Sequence, residues 1–318
     1  GGGAAAGAEP PAKRPRPAGG AARPGTLSVA VPGSVVDNAQ SLELATVLAG
    51  QVARAMAVHR VDEVVVFDDS AEGTKPRARE ISRGADFLAR VLQYLETPQY
   101  LRRALLPMHP ELARVGLMPP LDAPHQPRAH EWLPYREGAV VADTGRADGL
   151  SCWVDVGLGE GREAKVGTAL APGTRVTVSL GKKEPKAGAQ LEGSVVSPAE
   201  PRERQGMYWG YTVRVARSLS EALTGCPWEE GYDVTVGTSE HGDDLRGGEL
   251  GGASHALVAF GGLSGLEAAA EGDGDLQVKN PRFLFDRYVN VCPKQGSRTI
   301  RTEEAVMIAL TALRAAER

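Results

Sequence analysis

The sequence lacks any long apolar run: its 318 residues contain no 18 consecutive apolar residues and no visible secretory signal. We therefore expect no transmembrane helix, no secretion and no contact with a membrane. Cysteine is also scarce, since Cys152, Cys226 and Cys292 are the only three and form no C-x-x-C pair. This usage argues against a metal site and a disulfide framework, and it favours a reducing compartment.

The sequence also lacks a large excess of either charge. Its 36 Lys and Arg residues face 40 Asp and Glu residues, which gives a formal net charge of −4. A protein that binds nucleic acid through bulk positive charge is therefore not indicated, and any affinity for RNA must come from local patches. By contrast, 39 glycines and 22 prolines imply frequent tight turns.

The first 24 residues consist mainly of Gly, Ala and Pro. A segment of this composition cannot bury apolar surface, so we predict a disordered tail over residues 1–24. Its short basic cluster, residues 13–16, fits a nuclear localisation signal, an RNA-contacting arm or a merely solvated tail.

A strand–helix–strand pattern follows this tail. Residues 27–31 and 64–67 predict buried strands, and Ser41 is the expected N-cap of the helix between them. The apolar stripe of this helix is formed by Leu44, Val47, Leu48, Val52 and Ala55. Such a βαβ unit implies a parallel sheet. Another helix is predicted over residues 86–97, and residues 107–134 lack periodicity, which is typical of a linker.

From about residue 136 to residue 200 the hydrophobic period changes from 3.6 to 2. The segments GAVVAD, CWVDVG, TRVTVSL and LEGSVVS predict four short strands separated by turn residues. This spacing indicates a small, OB-like β-barrel. Barrels of this kind often bind oligonucleotides, although a structural or dimer-contacting barrel is the alternative.

After residue 201 the α/β pattern resumes. Near-continuous apolar strands are predicted in WGYTVRVA, YDVTVGTS, HALVAFGG and RYVNVCP, and Thr302 is the expected N-cap of a last helix. We therefore predict one α/β domain formed by residues 25–112 and 206–318. Residues 113–205, a linker and the β-barrel, interrupt it as an insertion.

Three unusual loops follow these late strands: VGTSEHGDD (236–244), FGGLSGLE (260–267) and NVCPKQGSRTIRTEEA (290–305). Ligands of open α/β sheets bind beyond the carboxyl ends of the strands, so the loops predict a ligand pocket. Glycine permits positive φ and a close approach of the backbone to a ligand. The GG-x-x-G spacing does not match a dinucleotide fingerprint, and an ordinary strand-to-helix turn is the alternative.

The stretches VPGSVVDNAQS, YWGYTVRVA, GYDVTVGTSEHG, HALVAFGGLSGLEA and YVNVCPKQGSRTIRTEEA resemble the SPOUT-domain RNA methyltransferase family, in its eukaryotic and archaeal branch. The resemblance covers nearly everything from Thr26 to Leu313. It implies an α/β fold whose last strands and helix form a trefoil knot. It also implies a homodimer that uses S-adenosylmethionine as methyl donor and releases S-adenosylhomocysteine.

The resemblance further implies which residues contact the methyl donor. These are Thr238, Glu240, Gly261, Gly262, Leu263, Asn290, Cys292, Gly296, Ser297, Thr299 and Ile300. A uridine N3 or a ribose hydroxyl is a poor nucleophile until it is deprotonated or polarised. We therefore consider Arg298 for stabilisation, Glu303 as a proton acceptor and Asn38 for orienting the target base.

Cationic and aromatic side chains near the return from the insertion could grip RNA. The candidates are Arg202, Arg204 and Tyr208, together with Arg301 in the third loop, and packing of the barrel on the domain is the alternative. The resemblance implies N3 methylation of a uridine in large-subunit ribosomal RNA. The alternatives are ribose 2′-O methylation and a non-catalytic protein that binds spindle or kinetochore proteins. The expected location of the protein is the nucleus or nucleolus, and also the mitotic spindle, centrosome and kinetochore.

Overall fold

A six-stranded sheet lies at the centre of the computed structural model, which describes residues 25–70, 81–141, 151–159, 161–186 and 188–315. The strands are β1 (Thr26–Pro32), β2 (Glu63–Phe67), β3 (Tyr135–Val140), β4 (Cys152–Asp155), β5 (Ala164–Val166), β6 (Arg175–Ser179), β7 (Leu191–Val196), β8 (Thr212–Ala216), β9 (Val234–Asp244), β10 (His255–Ala259) and β11 (Arg287–Asn290). The helices are α1 (Leu42–Val58), α2 (Arg83–Glu96), α3 (Arg102–Leu105), α4 (Glu200–Gln205), α5 (Leu219–Thr224), α6 (Gly265–Gly272) and α7 (Thr302–Ala315).

The sheet has the order β11-β9-β10-β1-β2-β8, and every neighbouring pair is parallel. The parallel sheet that the βαβ pattern predicts is therefore confirmed. Because all carboxyl ends of such a sheet lie at one edge, the loops after β1, β9, β10 and β11 share that edge.

Helices cover the sheet on both faces, which explains why its strands are almost continuously apolar. One face packs against α1, α2 and α7, and the other packs against α5 and α6. Along β1, Val29 and Val31 join the first layer and Ala30 joins the second, as the two-residue repeat of a strand requires.

Helix α1 has the predicted cap, and its predicted apolar stripe is buried at Val52 and Ala55 but not at its N-terminal end. Ser41 accepts a hydrogen bond from the backbone amide of Leu44, which confirms the N-cap. The stripe was wrong at Leu44 and Val47, whose relative exposures are 51% and 38%. The buried side of α1 instead carries small residues such as Ala49 and Ala53, and small side chains let helices pack closely.

The five strands β3 to β7 form a closed barrel with the order β3-β4-β5-β7-β6. Strand β6 closes it by pairing with β3, and β5 and β7 are its parallel pair. This arrangement agrees with the OB-like barrel that the strand spacing predicts. The sequence predicts four of the strands and misses β5, because three residues are too few to display an alternation.

A buried ionic network joins the barrel to the α/β domain. Arg175 donates to both carboxylate oxygens of Glu96, at 2.7 and 2.9 Å, and to Glu137 at 2.7 Å. The Trp209 indole donates to Glu137 at 2.5 Å, and His125 Nε2 lies 3.0 Å from Glu96 Oε1. Burial raises the pKa of Glu96, but hydrogen bonds from His125 and Arg175 lower it to about 2, so this carboxylate is ionised.

Residues 107–134, predicted as a linker, pack against the domain instead of bridging it loosely. Val115 and Leu121 belong to the main core, and the imidazole of His125 is fully buried. Short 3₁₀ turns at Pro110–Leu112 and Val115–Leu117 are the regular elements of this stretch. Irregular backbone buries single side chains without a period, so the pattern could not reveal this packing.

The predicted disordered tail over residues 1–24, with its basic cluster, lies outside the described residues. The barrel strands lie within the predicted insertion 113–205, and α4 ends at Gln205. Within the ranges that the structure describes, no helix is long and apolar enough to cross a membrane.

Candidate functional site

The segments 236–244, 260–267 and 290–305, which the sequence predicts as three loops, enclose a cavity of about 360 Å³ at the carboxyl end of the sheet, here called the glycine-loop cavity. The first segment is not a separate loop but the C-terminal part of β9, whose pairing with β11 shifts register between Tyr288 and Val289. The segments are called the first, second and third loop below. It is lined by Thr238, Ser239, Glu240, His241, Phe260, Gly261, Gly262, Leu263, Ser264, Gly265, Glu267, Asn290, Val291, Cys292, Gln295, Thr299, Ile300, Thr302 and Ala305. These residues come from all three of the loops that the sequence singles out. The cavity therefore lies where ligands of parallel α/β sheets bind.

Side-chain hydrogen bonds tie the first and third loops of this cavity together. Asn290 donates from Nδ2 to the carbonyl of Glu240 at 3.0 Å. The Oδ1 atom of Asn290 accepts from the amide of Cys292, also at 3.0 Å. Thr238 donates its hydroxyl proton to the carbonyl of Ala259 at 3.0 Å, which joins the first loop to the end of β10. The cavity wall is thus fixed by the fold.

Two glycines of the second loop are required by close packing. A methyl group added at Gly261 would lie 2.3 Å from the backbone nitrogen of Leu266. At Gly262 it would lie 2.5 Å from Ser34 Oγ and 2.8 Å from Asp69 Oδ2. Gly261 therefore allows the tight turn into α6, and Gly262 allows the second loop to approach the loops after β1 and β2.

Thr302 holds helix α7 against the second loop. Its hydroxyl donates to the carbonyl of Gly261 at 2.9 Å, and Thr302 is the first residue of the helix. The N-cap prediction for Thr302 was therefore wrong. Instead, the carbonyl of Arg301 accepts from the amides of Glu304 and Ala305, and the Arg301 amide donates to the Glu304 carboxylate at 3.0 Å. The contact from the Glu304 carboxylate back to the N-cap amide is one half of a capping box; the other half, a side-chain acceptor on the N-cap residue, is not available from arginine.

Most of the predicted methyl-donor contacts line the glycine-loop cavity. They are Thr238, Glu240, Gly261, Gly262, Leu263, Asn290, Cys292, Thr299 and Ile300. Gly296 and Ser297 are exposed and do not line it, and the Ser297 hydroxyl donates to the carbonyl of Thr299. They lie further out on the third loop, which the sequence could not distinguish from its inner part.

Sequence reasoning missed Ser239 and Glu267, the polar side chains that face each other in this cavity. The Ser239 hydroxyl donates to the Glu267 carboxylate at 3.0 Å. Glu267 follows the glycines of the second loop, and an acidic residue at the start of a helix is ordinarily explained by the helix dipole. Its position directly after a glycine-rich loop was the feature of the sequence that could have indicated a cavity residue.

A second cavity, here called the outer cavity, opens beside the first and has a volume of about 1170 Å³. The two cavities share Gly262, Leu263, Thr299, Ile300 and Thr302. Three of the predicted catalytic and RNA-binding residues, Asn38, Arg301 and Glu303, line the outer cavity together. Arg298 is exposed on the third loop and lines neither cavity.

The outer cavity is bordered by exposed apolar side chains. Leu44 and Val47 on α1 line it together with Leu263 and Met307, and the relative exposures of the last two are 78% and 36%. These side chains, here called the apolar face, come from separate parts of the chain. Clustered apolar residues on a surface mark interaction sites, whereas scattered ones do not.

Three predicted RNA-binding residues lie far from these cavities. Tyr208 is buried and donates its hydroxyl proton to the carbonyl of Val61 at 3.0 Å, so its ring cannot stack on a base; here the packing alternative is the correct one. Arg202 pairs with Asp62 at 3.1 Å and is largely covered. Arg204 is exposed and lies 3.5 Å from Glu200. The described residues hold no group of three or more side chains suited to binding a metal ion.

Comparison with known proteins agrees with this geometry. Residues 26–313 match a family model described as putative RNA methyltransferase. The human 28S rRNA (uridine-N(3))-methyltransferase is 50% identical over 297 residues, which cover 92% of this chain and 78% of that protein. A Drosophila melanogaster protein of the same name is 48% identical over 312 residues, covering 91% of this chain and 62% of that protein.

The similarity extends to archaea. An uncharacterised protein of Halobacterium salinarum is 32% identical over 315 residues, which cover 91% of this chain and 98% of the archaeal protein. The family match begins at the first residue of β1 and ends within α7, so it includes the sheet, the barrel and all three cavity loops. The chain therefore belongs to this family of RNA methyltransferases, as its SPOUT-like motifs predict.

Proposed function

We propose that this protein methylates N3 of a uridine in large-subunit ribosomal RNA, with S-adenosylmethionine as the methyl donor. The observation that carries the proposal is the pair of joined cavities at the carboxyl edge of the sheet. One cavity suits a donor and the other suits a target base, and they meet at Gly262 and Leu263. The names of the human and Drosophila relatives support the choice of uridine N3.

The lining of the glycine-loop cavity fits S-adenosylmethionine. Glycine backbone and hydroxyl groups supply hydrogen-bonding partners, while Phe260, Val291 and Ile300 supply apolar surface for an adenine ring. When bound, this donor supplies a methyl group on a positively charged sulfur, and S-adenosylhomocysteine is its product. Thr238, Asn290 and Thr299 are the polar residues that we expect to hold it.

In the outer cavity we assign each polar residue a separate task. The N3 proton of uridine has to leave before the nitrogen can attack, and we assign the Glu303 carboxylate, which lines this cavity, as its acceptor. Asn38 can hold the target base through its amide, and Arg301 supplies positive charge for the developing anion. Arg298 remains a prediction, as the cation that binds the approaching RNA.

We further propose a homodimer formed through the apolar face. Leu44, Val47, Leu263 and Met307 are exposed in one chain, and a second copy of the same face would cover them. Most soluble homo-oligomers have two-fold symmetry, in which one patch meets itself. Because Leu263 also lines both cavities, dimerisation would place the partner beside the target base.

We also propose that the chain is knotted at its C-terminus. In support of this, β11 is the outermost strand on one side of the sheet, and its neighbour is β9. The following α7 packs with α1, and its Thr302 reaches Gly261 at the end of β10. The chain between Asn290 and Thr302 therefore returns across β9, and passage through the β10–β11 connection would make a trefoil.

A ribosomal RNA substrate implies that the protein works in the nucleolus, and we propose that location. Association with the spindle, centrosome or kinetochore remains a prediction from the family resemblance alone. Neither location depends on the geometry of the cavities.

The proposal is tested with purified protein, S-adenosylmethionine and large-subunit ribosomal RNA transcribed in vitro, followed by mass spectrometry of the nucleosides. We expect 3-methyluridine, and Glu303→Gln should lower its rate of formation by about 100-fold or more because the proton acceptor is lost. Glu271→Gln, an exposed change on α6 outside both cavities, is the matched control and should retain the rate. Formation of a 2′-O-methylated nucleoside instead, or no product although the donor binds, would overturn the proposal.

A further inference from the structure

The carboxylate of Glu267 is held at a fixed place in the glycine-loop cavity. Its Oε1 atom accepts hydrogen bonds from the Ser239 hydroxyl at 3.0 Å and from the Tyr288 hydroxyl at 2.7 Å. Ser239 lies on β9 and Tyr288 on β11, while Glu267 itself lies in the first turn of α6. Three elements of the sheet and its cover thus converge on one carboxylate.

The second oxygen of this carboxylate, Oε2, lies against the glycine loop. A methyl group added at Gly265, whose φ is +78°, would lie 2.4 Å from it. A residue with a side chain at this position would push the carboxylate away. Because Gly265 lines the cavity, the negative charge of Glu267 lies close to the backbone that a ligand has to touch.

Apart from His241, which is charged only when it is protonated, the charged side chains that line this cavity are of one sign. Glu240 and Glu267 contribute two carboxylates, and among the described residues no Lys or Arg lines the cavity. The carboxylate of Glu240 is more than half exposed, so water screens it, whereas that of Glu267 is held in place. An acidic cavity complements a cationic ligand and disfavours an anionic one.

Glu267 is ionised at neutral pH. Burial raises the pKa of Glu267, but hydrogen bonds from the Tyr288 hydroxyl, its own backbone amide and the Ser239 hydroxyl together bring this pKa below its ordinary value. The hydroxyl of Tyr288 stays protonated, since burial and the neighbouring carboxylate raise its pKa. The phenol therefore acts as a donor to a permanent negative charge.

We infer that Glu267 makes the glycine-loop cavity select the charged methyl donor over its uncharged product. S-adenosylmethionine and S-adenosylhomocysteine differ by one methyl group and by one positive charge on sulfur. A fixed carboxylate attracts the sulfonium and gives the neutral thioether no such attraction. The inference rests on the proposed function, because it assumes that this cavity binds the methyl donor.

Such selection has a consequence for turnover. Donor and product bury nearly the same apolar surface and make the same polar contacts, so shape alone would retain the product about as tightly as the donor. A charge that disappears on transfer lowers the affinity for the product at the moment when it has to leave. Glu267 is in this sense a specificity-determining residue, and it need not touch the transferred methyl group.

The experiment measures binding by calorimetry in the absence of RNA, for the wild-type chain and for Glu267→Gln. Glutamine keeps the size and an acceptor oxygen for Ser239 and Tyr288, but it removes the charge. The ligands are S-adenosylmethionine, S-adenosylhomocysteine and sinefungin, a donor analogue with an ammonium in place of the sulfonium. We expect the variant to bind both cationic ligands about tenfold more weakly and the thioether less than twofold more weakly.

Tyr288→Phe provides a second variant and Glu271→Gln a control on the same helix. Phenylalanine removes one hydrogen bond but leaves the carboxylate. The ratio of the dissociation constants of S-adenosylhomocysteine and S-adenosylmethionine should therefore stay within about twofold of wild type. An equal loss of affinity for all three ligands in Glu267→Gln would show that the residue only maintains the shape of the cavity, and this result would overturn the inference. Absence of binding of any ligand to the wild-type chain would overturn the proposed donor itself, which is a distinct result.

Discussion

Gly262 lies where the two cavities join and where three loops meet. Behind it, Ser34 donates its hydroxyl proton to Asp69 at 2.5 Å, and its backbone amide donates to the same carboxylate at 3.1 Å. This pair connects the loop after β1 with the loop after β2. The space that a side chain at Gly262 would need is therefore already occupied by a hydrogen-bonded pair, not by water.

From this packing we predict the effect of Gly262→Ala. The added methyl group has to displace either the Ser34–Asp69 pair or the second loop, and overpacking of this kind costs about 1–3 kcal/mol. We expect S-adenosylmethionine to bind at least about tenfold more weakly, measured by calorimetry, because the displaced loop forms the cavity wall.

Gly296→Ala is the matched control for this substitution. A methyl group at Gly296 would meet nothing within 4 Å, and Gly296 does not line the cavity. Its affinity for the donor should stay within about twofold of wild type. Equal losses in the two alanine variants would mean that the cavity wall includes the outer part of the third loop, against the geometry described here.

Among the elements, those that pack by a regular repeat could be predicted and those that depend on distant partners could not. The strands β1 and β2 follow from short, mostly apolar runs, and the N-cap of α1 follows from Ser41 alone. Which side of α1 is buried depends on α7, more than 200 residues away, so Leu44 and Val47 were assigned wrongly. Periodicity gives an apolar face but not its partner.

The candidate site shows the same division. The three glycine-containing segments could be found from the sequence, because each comes at the end of an apolar run. That the first of them continues β9 as a strand could not be predicted. The two hydrogen bonds that hold the Glu267 carboxylate could not be predicted, since their donors, Ser239 and Tyr288, lie 28 residues before it and 21 residues after it. Asn38 and Glu303 were proposed as catalytic residues, but only the fold brings them to one cavity.

The connection between barrel and domain leads to a prediction for Arg175→Ala. The substitution leaves the Glu96 and Glu137 side chains, which are only 7% and 5% exposed, without the cation that they share. Removal of one partner of a buried ion pair costs about 3–5 kcal/mol. We therefore expect the free energy of unfolding, measured in urea, to fall by about that amount.

Arg162→Ala is the control for this loss of a cation. Arg162 also pairs with a glutamate of the barrel, Glu184 at 2.9 Å, but both side chains are about half exposed. Exposed pairs contribute about 0–1 kcal/mol, so this variant should unfold close to wild type. If both variants lose equally little, the network does not hold the barrel in place, and its position must be set by apolar contacts instead.

At the scale of the whole molecule, the apolar face and the outer cavity occupy the same part of the surface. Leu44 and Val47 of α1 line the outer cavity, and so do Leu263 and Met307. In a single chain these apolar side chains are exposed to water, and a cluster of exposed apolar side chains marks an interaction site. A second copy that covers the face would also exclude water from the target base.

The last prediction tests this assembly through Val47→Glu. In a two-fold interface each substitution appears twice, so two new charges would be desolvated in the dimer. We expect the dissociation constant of the dimer to rise by about 100-fold or more, measured by sedimentation equilibrium. Val58→Glu on the same helix is the control, because Val58 is 52% exposed but lies outside the outer cavity, and this variant should remain dimeric. A wild-type chain that stays monomeric at high micromolar concentration would contradict the proposed dimer, and unchanged dimerisation of Val47→Glu would place its interface elsewhere.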